Sequence, residues 1–265
     1  VSSKAPRTGR MSHEIEYHDN MVAMLQLIWG DGYMAPGGPA NVAKLLKGTE
    51  PEGKRVLDIG CGIGGPAFEM ASSYGAEVVG IDLEQPLIDR ATAAAATRGL
   101  EGRCKFQAVN VGPLPFEDQS FDIVVSSGAI TQTDDKHALL TEARRVLRPG
   151  GHMSCYEWMK SDAEISDDMR YWFRLEGLTY ALETLQQYET RFRQAGFTNV
   201  VATDASAWYR AEARREYDLI KGELYDKVVE LLGSDAAEHF VEDWRAMTVV
   251  CDSGEMRQGY CRGRK

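Results

Sequence analysis

The sequence predicts an α/β fold in which a mainly parallel sheet carries helices on both faces. Two patterns support that expectation. From Arg55 onward, short apolar runs alternate with amphipathic helical segments, the arrangement that buries a parallel sheet on both sides. The first apolar run is followed at once by a cluster of glycines, the kind of turn that lets a ligand approach the backbone closely. The 265 residues suit one such domain with extra covering segments.

Residues 56–59 read as a buried strand. Residues 66–74 follow as a helix, with Pro66 suited to its first turn. A second strand is expected at 77–81 and a helix at 86–97, where the alanine run has the highest helix propensity. Further strands are expected at 105–109 and 121–126. Over 136–147, Leu139, Leu140, Ala143, Val146 and Leu147 fall on one helical face, with Arg144 and Arg145 opposite. Arg148-Pro149-Gly150-Gly151 stops that helix, and a fifth strand is expected at 152–156. Beyond it, Leu185, Tyr188, Phe192 and Ala195 have helical spacing. Charged helices follow over about 206–232, and a last strand is expected near 258–261. Residues 1–10 read as a polar, basic, disordered leader and 11–265 as one domain. In an open α/β sheet the ligand crevice lies beyond the carboxyl ends of the strands. The two segments outside the alternation, 11–46 and 157–182, are therefore assigned as an N-terminal lid and an acceptor-site insertion.

A formal net charge of −10 argues against a nucleic-acid partner, because affinity for phosphate backbones needs basic faces. The five cysteines form no C-x-x-C pair and no zinc-spaced cluster, so no metal is expected. Reduced thiols and a cytoplasmic location are the reading. No apolar run is long enough for a membrane span.

The strongest local signal is Val56-Leu57-Asp58-Ile59-Gly60-Cys61-Gly62-Ile63-Gly64-Gly65. Asp82 ends the second strand about 20 residues on, the distance at which an acid accepts two ribose hydroxyls. These features alone fit a dinucleotide as well as a methyl donor. Asp58 offers a carboxylate to a cationic amino-acid moiety, and Asn110 an amide to an adenine edge. With the stretch from Leu114-Pro115-Phe116-Glu117 to Phe121-Asp122-Ile123-Val124, and the later Leu147-Arg148-Pro149-Gly150-Gly151, the ordered set resembles the class I S-adenosylmethionine-dependent methyltransferases. The resemblance covers about residues 55–157. It implies a Rossmann-like fold and S-adenosyl-L-methionine as cofactor. The donor contacts it implies are Tyr17, Asp58, Gly60, Cys61, Gly62, Asp82, Leu83, Asn110, Val111 and Ser126.

A narrower resemblance runs from about Glu16 to Lys265. Glu16-Tyr17-His18-Asp19, Trp29-Gly30-Asp31-Gly32-Tyr33, Pro36-Gly37-Gly38, Tyr188, Ala195-Gly196-Phe197, Trp244 and Gly259-Tyr260 are similar to the phosphoethanolamine N-methyltransferases. That family pairs an N-terminal tyrosine, matched by Tyr17, with a histidine whose position holds Gln132 here. Glutamine takes up no proton in the working pH range. Gly128 replaces the family's aspartate in the same loop. Leu178, beside a retained Tyr180, and Met247 replace two of its phosphate-binding cations. A phosphate dianion in a closed site needs several charged donors. The expected acceptor is therefore another small polar metabolite, an amine or an amino acid. Arg174 is expected to clamp a carboxylate.

Tyr17, Gln132 and Glu157 are the catalytic candidates, with Glu157 placed at the end of the fifth strand as acceptor-amine partner or base. Tyr33, Trp158, Arg174 and Tyr180 are the substrate-binding candidates, the aromatic ones through cation–π attraction. S-methylation, as of a thioether amino acid that needs no base, O-methylation, and phosphoethanolamine itself remain alternatives. So do an NAD-dependent oxidoreductase, for which no hydride-transfer base is visible, and a non-catalytic cofactor-binding protein.

Overall fold

The computed structural model describes residues 17–178 and 180–265. The leader assigned to 1–10, the first residues of the lid segment and Glu16 lie outside these. The chain runs α1 (Asp19–Trp29), α2 (Gly38–Leu45), β1 (Arg55–Ile59), α3 (Gly65–Tyr74), β2 (Glu77–Asp82), α4 (Gln85–Thr97), β3 (Cys104–Ala108) and β4 (Phe121–Ser127). A 3-10 turn (Ile130–Gln132) precedes α5 (Lys136–Val146), β5 (Leu147–Lys160), α6 (Asp167–Glu176) and α7 (Leu185–Gln194). Then come β6 (Thr198–Asp204), α8 (Ser206–Lys221), α9 (Tyr225–Leu232), α10 (Ser234–Asp252) and β7 (Met256–Arg264).

The strands form one sheet in the order β3-β2-β1-β4-β5-β7-β6. Pairings among β1 to β5 are parallel, and β7 is antiparallel to both its neighbours. From β1 the chain first builds outward through β2 and β3, then returns to add β4 on the other side. That reversal opens a crevice at the carboxyl ends of β1 and β4. One face of the sheet is covered by α5 and α7 through Leu140, Val146, Tyr188 and Phe192. The other is covered by α2 and α3 through Val42, Leu45, Phe68 and Met70. A third cluster joins α1, α6, α8, α9 and α10 through Met24, Trp172, Tyr209, Val228 and Trp244, and meets the sheet at Met256 of β7 and Trp158 of β5.

Two expectations need correction. The Arg148-Pro149-Gly150-Gly151 stretch is not a turn between α5 and a short strand. β5 starts at Leu147, opposite Phe121, and shifts register before Ile123. It also continues to Lys160, because β7 pairs with it residue by residue from His152 onward. Backbone partners, not apolar pattern, set its length. β6 and α10 were not anticipated. Most of β6 is exposed or half-buried, so it lacks the apolar run of a central strand.

Several charged groups are buried as structure. Lys136 is 2% exposed and donates to the carbonyls of Thr133 (2.7 Å) and Ala181 (2.6 Å). Glu216 accepts from the indole N–H of Trp29 (2.6 Å) and of Trp244 (3.1 Å), tying α1 to α10. The five cysteines are all buried and free. Among the described residues no helix is long and apolar enough to cross a membrane.

Burial pushes the Glu216 carboxyl up to about 7, against the opposing pull of its two indole donors, and Glu157 up to about 8. Between about pH 4.5 and those values the folded chain holds protons that the unfolded chain releases. Stability in the ligand-free protein is therefore expected to fall as pH rises from 5 to 8.5. Urea midpoints across that range check the sign, and the Glu157→Gln variant should flatten the slope.

Candidate active site

The crevice is a cavity of about 1000 Å³. Its floor is the glycine loop between β1 and α3. Gly60, Gly62 and Gly64 all have positive φ, and the side chains that any other residue would carry have no room. A Cβ on Gly60 would sit 2.0 Å from the Cβ of Ala129, and one on Gly62 would sit 2.9 Å from the sulfur of Met34. The amide of Gly65 donates to the carbonyl of Gly32 (2.9 Å), so the N-terminal segment docks directly on the loop.

Asp82 lines the cavity at the end of β2 and pins the same loop. Its Oδ2 accepts from Gly62 N (2.9 Å) and its Oδ1 from Glu84 N (3.1 Å). Burial raises it above the usual carboxylate range, opposed by these backbone donors. Leu83 and Val111 also line the cavity although they are 49% and 73% exposed, and Asn110 lies beside Val111. Two apolar side chains open to solvent, with an amide next to them, suit a flat heterocycle. Gly60, Cys61 and Gly62 line the wall as expected.

Asp58 and Ser126 do not. Both are buried residues outside the wall, 1% and 0% exposed. The Asp58 carboxyl is raised to about 7, first by burial and then by the nearby charge of Asp82, and its Oδ2 has no partner. A cradle free of side chains, a cavity-facing acid and an amide beside two open apolar side chains fit a ligand carrying a ribose and an adenine.

The other end of the cavity is walled by Tyr17, Trp29, Tyr33, Trp158, Tyr180, Phe240 and Trp244. The backbone amide of Tyr17 donates to Glu84 Oε1 (3.3 Å), and its hydroxyl accepts from the Gln132 amide Nε2 (3.3 Å). The two catalytic candidates thus touch, and they bridge the two ends of the cavity. The segment carrying Tyr180 is held in place by Lys136 donating to Ala181 O (2.6 Å) and by Ala181 N donating to Thr131 O (2.9 Å). His18 is exposed and does not line the cavity.

Two expectations fail here. Glu157 lies inside β5, not at its end. It is fully buried, accepts from Thr131 N (2.9 Å) and braces the 3-10 turn without reaching the cavity. Arg174 is outside the cavity, with its guanidinium over the exposed Tyr171 ring at 5.7 Å. The exposed side of an amphipathic helix holds it out, because Met169 and Trp172 take the buried side.

Glu176 and Asp243 line the acceptor end and were not anticipated. Helical periodicity gives no cue for Asp243, since only the packing of α6 on α10 turns it into a wall residue. Glu176 ends α6 and accepts from the Tyr180 hydroxyl (3.1 Å).

Over residues 50–196 the chain matches the family described as "Methyltransferase domain". The chain belongs to that methyltransferase family. Phosphoethanolamine N-methyltransferase 3 of Arabidopsis thaliana is 28% identical over 251 residues, which are 94% of this chain and 50% of the plant protein. This methyltransferase therefore spans about half the length of the curated relatives it matches. A sterol 24-C-methyltransferase of Gibberella zeae is 38% identical over 122 residues, 46% of this chain and 32% of its own. Among solved structures, phosphoethanolamine N-methyltransferase 2 of Haemonchus contortus has a TM-score of 0.87 at 23% identity, covering 94% of this chain and 58% of that one. It has been solved with S-adenosyl-L-methionine, and with phosphomonomethylethanolamine and S-adenosylhomocysteine. At that identity the likeness concerns the fold.

The Gly60→Ala substitution is expected to lower stability by about 1–3 kcal/mol through overpacking. It should also remove the rise in Tm that S-adenosylhomocysteine gives the unaltered protein, as read by thermal shift.

Proposed function

We propose that this protein is an S-adenosyl-L-methionine-dependent N-methyltransferase whose acceptor is a small amine carrying no phosphate. One observation carries this reading. Among the described residues the cavity wall holds no Lys, Arg or His, whereas Asp82, Glu84, Asp134, Asp135, Glu176 and Asp243 all contribute to it. A phosphate needs charged donors when it leaves water, and an ammonium needs the opposite. With Arg174 outside the wall, a carboxylate clamp loses its support as well.

When bound, S-adenosyl-L-methionine would supply an already activated methyl group and keep the electrons of the methyl–sulfur bond. The protein's own part is alignment and proton removal. Gly60, Gly62, Asp82, Leu83, Asn110 and Val111 would hold the donor. Tyr17, fixed by Glu84 and Gln132, would cover the donor and orient the acceptor nitrogen so that its lone pair could form the new N–C bond. Without a histidine at position 132, a carboxylate is the candidate to receive the nitrogen's proton. The buried free thiols support a reducing, cytoplasmic setting.

A donor-consumption assay with product masses tests this on ethanolamine, phosphoethanolamine, glycine, sarcosine and methionine. Turnover is expected on the phosphate-free amine, with kcat/KM for phosphoethanolamine at least about a hundredfold lower. Preference for phosphoethanolamine, or for methionine, overturns the reading. Tyr17→Phe should lower kcat about tenfold to a hundredfold while leaving S-adenosylhomocysteine affinity within about threefold.

A further inference from the structure

We infer that the chamber between α6 and α10 is a recognition subsite for an ammonium group, held by the Glu176 and Asp243 carboxyls beside aromatic rings. This inference rests on the amine reading above and names where and how the amine is held.

Four observations support it. Both residues line the cavity, Glu176 from the end of α6 and Asp243 from α10, two helices that pack on each other. Asp243 is only 3% exposed, yet its Oδ1 has no hydrogen-bond partner. A buried carboxylate oxygen left unpaired at a cavity wall is costly unless a ligand donor completes it. The pair is braced from one side by the Tyr180 hydroxyl on Glu176 Oε1 at 3.1 Å. Around it, Trp172 stacks on Tyr180 at 5.3 Å between centroids and 19° between planes, and Trp158 lies 6.2 Å from Trp172. On α10 itself Phe240 and Trp244 flank Asp243, with ring centroids 6.1 Å apart.

Burial raises both carboxyls, and the neighbouring Glu176 charge raises Asp243 further, whereas Asp243, the Tyr180 hydroxyl and the His239 charge pull Glu176 back down. An acidic wall with a spare acceptor oxygen and π faces beside it is selective for a cation over a neutral group of equal size. It repels an anion. Neither charge logic nor shape leaves a place for a phosphate here, since Leu178 and the rings supply no donor charge.

The test compares three related probes by tryptophan fluorescence, on the full chain with saturating S-adenosylhomocysteine. They are choline, its uncharged isostere 3,3-dimethylbutan-1-ol, and phosphocholine. Choline is expected to bind at least about tenfold more tightly than either of the others. In the E176Q/D243N double variant that preference should vanish, while phosphocholine binds as well as before or better. Such retained or improved binding cannot come from a chain that has failed to fold. Equal affinity for choline and the alcohol, tighter binding of phosphocholine by the unaltered protein, or no binding of any probe overturns the inference. If choline is selected but no amine is methylated, the N-methyltransferase reading fails and the subsite stands. If amines are methylated without selection of choline, the reverse holds.

Discussion

The rest of the site depends on one steric constraint, the absence of side chains along the glycine loop. Gly60 lies against Ala129, Gly62 against Met34, and Gly65 against the backbone of Gly32. Those three neighbours belong to the loop after β4 and to the N-terminal segment. One stretch of bare backbone thus fixes the donor cradle, the acceptor loop and the covering segment relative to one another. Asp82 reinforces it by accepting the Gly62 amide, so the acid expected to receive a ribose also holds the floor beneath it.

The second organising element is the helical cap, whose core is distinct from that of the sheet. Because α6 and α10 build one wall of the cavity, the chemistry of the acceptor end is written in the cap, not in the sheet. This explains how chains with the same sheet can act on different molecules. The donor end is set by backbone geometry that tolerates little change, whereas the acceptor end is set by side chains on helices that pack chiefly on each other.

The sheet and the donor loop were legible in the sequence for physical reasons. Central parallel strands such as Val56-Leu57 are buried on both faces and read as unbroken apolar runs, and glycines announce the turn that follows. Edge and antiparallel strands were harder, because β6 and the outer half of β5 are held by pairing to β7. The contact between Tyr17 and Gln132 was foreseen only through family resemblance. Glu157 and Arg174 misled for opposite reasons. A carboxylate near a strand end was read as facing the crevice when it braces a turn, and a cation in the insertion was read as facing inward when it lies on the solvent side of α6. Glu176 and Asp243 meet only through the packing of two helices far apart in sequence, so no local spacing marks them.

Glu216 has a consequence for how such a cavity can diversify. It serves two indole donors at once, Trp29 from α1 and Trp244 from α10, and both rings line the chamber. Replacing either tryptophan alone strands half of a buried acid, while replacing the acid alone strands two N–H groups. The three positions form an epistatic unit. Drift in acceptor choice that passes through this part of the wall must alter all three nearly together, whereas neighbouring positions such as Phe240 can vary one at a time.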